Sequence, residues 1–224
     1  MSVETHAPEP GPPAPPPDVA PARLLTVLGV GGAVAGTLLV LAFGLTLPRI
    51  EANRARALDA AVKEVLRAPA RYDTLFVVNG ALTKTAPPGA DPKKLEQVYL
   101  GYGTDGRPVG FAVVAAEAGF QDVITLIFGY DARDRKLLGM KVLESKETPG
   151  LGDRIEKSEA FVAQFAGAVA PLVGVKGKRS KPGEVSMITG ATISSRAVIR
   201  IINKALARLG PRLEAYREEG KGNP

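Results

Sequence analysis

The chain has no cysteine, and its one histidine, His6, lies in a proline-rich stretch at the N-terminus. Without thiols, disulfides, thiolate metal sites, iron–sulfur ligation and cysteine nucleophiles are all excluded. The absence assigns no compartment, since a cysteine-free chain suits either redox environment. A single histidine in a proline-rich tail excludes His-based catalytic triads and His-rich metal centres from the folded part. Aromatic residues make up 5% of the chain, and the net charge is +6. The basic excess is spread out and few rings are available to stack on bases. Nucleic-acid binding therefore fits poorly, and mild attraction to anionic lipid or an acidic partner fits better.

What is present is a membrane-sized apolar run followed by enough chain for one domain. Residues 1–22, "MSVETHAPEPGPPAPPPDVAPA", cannot build a core and are expected to form an extended, disordered tail. Residues 24–47 carry no charge, and a helix of that length spans a hydrocarbon core of roughly 30 Å. A cleaved signal peptide is the competing reading, but the run is long, the preceding region nearly uncharged and "AFG" a poor cleavage site. Gly32 and Gly36 form a G-x-x-x-G pair that would let another helix approach, although glycine is common in membrane helices anyway. Arg49, Arg54, Arg56 and Lys63 follow the span against Arg23 before it, which taken alone places the C-terminal part in the cytoplasm.

Residues 49–68 read as a juxtamembrane helix ended by Pro69, and 69–210 as the folded domain, with 211–224 a C-terminal tail. "QVYLGYG" and "PVGFAVVAAE" flank Asp105-Gly106, a hairpin signal. "VITLIFGY" and "KLLGMKVLES" flank the polar turn "DARDR". These four strands predict an antiparallel meander. A helix "EKSEAFVAQFAG", a basic loop "KGKRSKPGE" and a final helix closing at Gly210-Pro211 follow. The expected class is α+β, an antiparallel sheet with packed helices, preceded by one N-terminal transmembrane helix.

Two segments carry more glycine and hydroxyl than folding requires. In "TGATISS", Thr192 is expected at, or just before, the start of a helix that Ser194 or Ser195 can cap. Free N–H groups and the positive end of the helix dipole meet there, and Gly190 and Ala191 leave room, so a phosphate fits beside the Thr192 hydroxyl. The pattern is not a P-loop, so nucleotide hydrolysis is not indicated. An ordinary capped turn entering a core helix accounts for the same residues. In "KETPGLGD", Pro149 stiffens a loop whose Gly150 and Gly152 permit close approach to a flat ligand. Glu147 and Thr148 supply polar groups, and Leu151 can pack on an aromatic face. A plain strand-to-helix loop is again the alternative.

The two motifs in this order, after one apolar span, resemble the FMN-binding domain of the G subunit of Rnf electron-transport complexes. They are also similar to the related C subunit of sodium-pumping NADH:quinone reductases. The resemblance covers roughly Gln97 to Leu209. It implies that Thr192, the last residue of an S/T-G-A-T motif at Thr189, Gly190 and Ala191, carries FMN through a phosphoester. It implies that Glu147, Thr148, Leu151 and Gly152 lie against the flavin. It implies a flavin transferase for maturation and other membrane subunits as partners. The domain would then lie on the outer, periplasmic side of the inner membrane, against the flanking charge, because long domains can translocate despite it.

This sequence departs from the family at three places. Ser186 stands where an acid often precedes the motif, with Glu184 two residues earlier. Ser145 replaces a common histidine, and "GFQD" at 119–122 replaces a Gly- and Tyr-rich turn. The function so implied is relay of electrons within an ion-translocating complex. Lys146 could stabilise a reduced flavin, and Lys176, Lys178, Arg179 and Lys181 could dock an acidic partner; each also reads as a solvated charge. The reading from a different class is a membrane-anchored interaction or sensor module without a redox cofactor.

Overall fold

The computed structural model describes residues 20–216, so most of the expected tail, 1–22, and the end of the chain after Tyr216 lie outside the described residues. The chain divides into two compact units, one ending at Asn53 and the other beginning at Arg54. From Pro21 on, the described residues of the first belong to helix α1, Pro21–Val65. Its apolar stretch has a mean hydropathy of 2.2 and is wholly unburied, and it is the one helix among the described residues long and apolar enough to cross a membrane. Two expectations change here. Pro21 and Ala22 open the helix rather than end a tail, because proline at the first helical position loses no hydrogen bond. The span and the segment after it are one helix, not two, since Pro48 costs a single backbone bond within a long run.

The second unit is built on a six-stranded antiparallel sheet in the order β2-β1-β3-β4-β5-β6. Its strands are β1 (Arg71–Val78), β2 (Ala81–Thr83), β3 (Gln97–Tyr102), β4 (Pro108–Ala118), β5 (Val123–Asp131) and β6 (Lys136–Glu144). The expected four-strand meander is β3 to β6. Strands β1 and β2 were not anticipated, although Asn79-Gly80 between them, both at positive φ, is the residue pair that a two-residue hairpin turn favours. The α+β class with an antiparallel sheet and packed helices stands.

Both faces of the sheet are covered, which is why its central strands read as nearly continuous apolar runs. On one face, Ala61, Val62, Val65 and Leu66 at the end of α1 pack on Tyr99, Ala112 and Ile127. Gly129 permits that approach: a Cβ there would lie 2.2 Å from the Val65 carbonyl oxygen. Helix α1 stops at Val65, short of the expected Pro69, and Arg67 and Ala68 turn the chain at positive φ. The other face holds the main core. There Leu100, Phe111, Val113, Leu126 and Phe128 meet the apolar stripe of α4, Thr192–Ala215. Fully burying each Val, Ile or Leu of that stripe contributes roughly 1.5–3 kcal/mol.

Helix α4 runs through Pro211, where it had been expected to end. Pro211 immediately precedes its last turn, Leu213 is buried in the core and Tyr216 makes an edge-on contact with Phe111. The expected single helix after β6 is instead α2 (Arg154–Lys157), α3 (Glu159–Val162) and a 3-10 turn (Ala163–Phe165). Ser158 breaks the run because its side chain accepts the Phe161 N–H and caps α3. A short parallel pair, β7 (Val173–Val175) and β8 (Glu184–Ser186), brackets the basic loop and delivers the chain to the start of α4.

Candidate functional site

The first residue of α4 is Thr192. Ala191 occupies the capping position and has no oxygen to offer, so no side chain caps the helix. The expected caps are used otherwise. Ser195 Oγ accepts the Ile188 N–H at 3.1 Å and donates to the Ala191 carbonyl at 2.8 Å, locking the turn that precedes the helix. Ser194 Oγ donates to Glu147 Oε2 at 2.5 Å. Gly190, at φ +86°, makes the turn that no side-chain residue adopts cheaply. The result is a 24-residue helix whose first N–H groups are left open at a glycine-cleared corner.

That corner forms one wall of a cleft of about 330 Å³. Glu147, Thr148, Leu151 and Gly152 form a second wall, and Phe120 from the β4–β5 turn a third. Glu147 joins all three. Its Oε1 accepts the N–H groups of Phe120 (2.8 Å) and Gln121 (3.1 Å) while Oε2 accepts from Ser194. Glu147 is 5% exposed and Ser194 2%. Two glycines make the fit possible. A Cβ at Gly152 would lie 2.7 Å from Glu147 Oε2, and one at Gly119 2.3 Å from Oε1. Burial alone pushes the Glu147 carboxyl up; the hydrogen bonds from Ser194 and the backbone N–H groups of Gln121, Phe120 and Asp122 outweigh it and hold it below the ordinary carboxylate value.

Seven of the eight residues singled out in the sequence therefore meet around one cleft: Glu147, Thr148, Leu151, Gly152, Gly190, Ala191 and Thr192. Thr189 does not line it; its carbonyl accepts from Arg154 Nη1 at 3.3 Å. Phe120, Ile193 and Ser194 line the cleft without having been singled out. Phe120 had been noted only as part of a departure and Ser194 only as a cap. Phe120 is 65% exposed and Leu151 and Ile193 50% each, so the rim presents apolar surface to solvent. Thr148 Oγ1 donates to the Gln121 side chain at 3.1 Å, tying the second wall to the third.

Two of the other candidate charges are engaged elsewhere. Lys146 pairs with Asp122 at 3.2 Å. Arg179 donates to the Gln164 carbonyl, and Ser186 Oγ to the Gly177 carbonyl. Glu184 accepts from the Ser180 N–H and hydroxyl and from the Lys181 N–H, so it braces the basic loop. No group of three or more metal-ligating side chains occurs among the described residues. Larger hollows of about 640 and 520 Å³ lie beside Leu58 and beside Arg212, away from α4's open start. Chemically, the cleft combines backbone donors and a hydroxyl at one end with apolar walls, which suits a flat ligand that ends in an anion.

Comparison with known proteins agrees with that chemistry. Residues 119–207 match the FMN-binding domain family. The chain is 30% identical over 184 residues to the G subunit of the ion-translocating oxidoreductase complex of Methanosarcina acetivorans, covering 82% of this chain and 92% of the relative. It is 30% identical over 188 residues to the G subunit of the Na(+)-translocating ferredoxin:NAD(+) oxidoreductase complex of Acetobacterium woodii, covering 82% and 89%. The fold resembles the crystal structure of NqrC from Shewanella oneidensis, with a TM-score of 0.60 at 16% identity over 74% of this chain and 100% of that one. It also resembles the C subunit of the Na(+)-translocating NADH-quinone reductase from Parabacteroides distasonis, with a TM-score of 0.57 at 18% identity over 76% and 98%.

Proposed function

We propose, from the premise that this chain belongs to the G-subunit family of ion-translocating oxidoreductase complexes, that it is a membrane-anchored electron relay carrying FMN covalently on Thr192. The observation that carries the reading is the uncapped start of α4 opening onto a cleft walled by the Glu147–Gly152 loop. The residues present fit the group. The Thr192 hydroxyl would offer the attachment atom, and the uncapped N–H groups of the first helical turn would be available to its phosphate. A phosphodiester keeps about one negative charge, which the helix start stabilises by roughly 0.3–1 kcal/mol. Gly190 clears the corner at the start of α4, Gly152 leaves Glu147 its place in the wall, and Leu151, Ile193 and Phe120 would offer apolar contact to the ring system. When bound, the flavin supplies one- and two-electron redox chemistry. The protein would hold it in the cleft, and electron transfer needs no general acid or base.

Helix α1 anchors the domain, and the other members of an Rnf-type complex deliver and accept the electrons. A flavin transferase makes the phosphoester once, during maturation. The folded domain lies on the periplasmic side of the inner membrane, since a unit of this length translocates despite the positive charges beside the span. The test is co-expression of the full chain with a flavin transferase. In-gel fluorescence after denaturation and an intact mass raised by FMN less one water are the expected results. Thr192→Ala abolishes both. A wild-type chain that remains colourless, or a Thr192→Ala chain that keeps the covalent band, overturns the assignment.

A further inference from the structure

Glu147 has a property that attachment of a flavin does not require. It is the one ionisable side chain lining the cleft, and it is almost completely buried. Its hydrogen bonds come from neutral donors, namely the Ser194 hydroxyl and the backbone N–H groups of the β4–β5 turn. Lys146 pairs with Asp122, Lys157 pairs with Asp153, and Arg154 donates to the Thr189 carbonyl, so these cations hydrogen-bond to other groups than Glu147. Neutral donors stabilise the charge without cancelling it. A full negative charge therefore stands in the cleft wall, where the medium screens it far less than water does. The start of α4 opposes it, but a helix terminus amounts to only about half a positive charge.

Resting on the reading of the cleft as a flavin site, we propose that Glu147 is a potential-setting residue that lowers the reduction potential of the electron carrier held there. The physical reason is electrostatic. Two electrons taken up with one proton from water leave the ring system one unit more negative; a second proton restores its charge. A fixed carboxylate disfavours the more negative product, and so makes the bound carrier a stronger reductant. The same residue also positions the site, because it ties the start of α4 to both other walls.

Glu147→Gln separates the two roles. A glutamine keeps an oxygen for the N–H groups of Phe120 and Gln121 and offers an N–H₂ to Ser194 Oγ, while the charge is gone. Full chains loaded with flavin are titrated with a chemical reductant and mediators at pH 7, and the midpoint is read from the visible spectrum. Glu147→Gln shifts the reduction equilibrium at least ten-fold toward the reduced form, a rise of about 30 mV for a two-electron couple. Ser194→Ala moves the midpoint the other way, because removing a donor leaves more of the charge exposed to the cleft. A Glu147→Gln chain that keeps its flavin with an unchanged midpoint overturns the proposal, as does one that folds but no longer loads flavin. If Glu147→Gln does not accumulate, Ser194→Ala decides: a lower midpoint supports the proposal and an unchanged or higher one sinks it. A wild-type chain without any flavin ends the underlying functional reading instead, which the wild-type spectrum reports before any variant is compared.

Discussion

Replacing Gly152 with alanine tests whether the cleft is built around Glu147. The added Cβ would lie 2.7 Å from both Cβ and Oε2 of Glu147 and 3.0 Å from Ser194 Oγ. Real Cβ atoms essentially never come that close, so something must move. Glu147 cannot withdraw freely, because Oε1 holds two backbone N–H groups and Oε2 holds the Ser194 hydroxyl. Overpacking of this kind costs about 1–3 kcal/mol. For a unit of this size each kcal/mol lowers Tm by about 2–4 °C, so a drop of about 2–12 °C is expected. The assay is thermal unfolding of the full chain in detergent, followed by near-UV tyrosine circular dichroism, with flavin loading measured in parallel. Gly150→Ala is the control. Gly150 has φ +76° with open space around it, so its substitution brings backbone strain of about 1–2 kcal/mol and no collision with Glu147. Gly152→Ala should lose both stability and loading, whereas Gly150→Ala should lose stability alone. Wild-type Tm and full loading in Gly152→Ala would refute the packing argument.

The acid limb of stability and the seat of α1 on the sheet offer two more tests. Since Glu147 is held below its unfolded value of about 4.3, its hydrogen bonds contribute stability above that pH, and the contribution is lost as pH falls through the lower folded value. Ser194→Ala removes one of the bonds responsible, so its Tm deficit against wild type should be full above about pH 4.3 and narrow as the pH falls below that value; a deficit that stays constant down the acid limb would count against the assignment. Gly129→Ala should destabilise the domain by more than about 1 kcal/mol in denaturant unfolding, because its Cβ meets backbone, the Val65 carbonyl, rather than a side chain that can rotate away. An unchanged unfolding midpoint would show that the end of α1 can lift from the sheet at little cost.

Much of this protein was legible along the chain because the signals are local. A charge-free run of membrane length, the Asp105-Gly106 hairpin, four apolar strands and the helical spacing from Val198 to Leu209 depend on neighbours within a few residues. The motif loops were legible for the same reason, since glycine widens and proline narrows the choices of its own backbone wherever it stands. Strands β1 and β2 were overlooked because Asp73 and Thr74 interrupt the apolar pattern of β1, although Asn79-Gly80 marked their turn. The span and the segment after it read as two helices divided at Pro48, and Gly210-Pro211 read as a helix end. The structure carries helix through both, each within a longer run of backbone bonds, and Leu213 beyond Pro211 is packed in the core.

The candidate site shows where local reading stops. Glycine, hydroxyl and carboxylate could be named from the sequence as a set, and Thr192 could be placed at a helix start. Only the folded chain decides that Ser194 turns inward to Glu147, 47 residues away, instead of capping its own helix. Likewise, it takes the fold to bring Phe120 to the rim and leave Thr189 outside the cleft. Hydrogen-bond partners that distant in sequence are selected by the packing of α4 on the sheet. That packing depends on every buried side chain between them, and no local pattern encodes it.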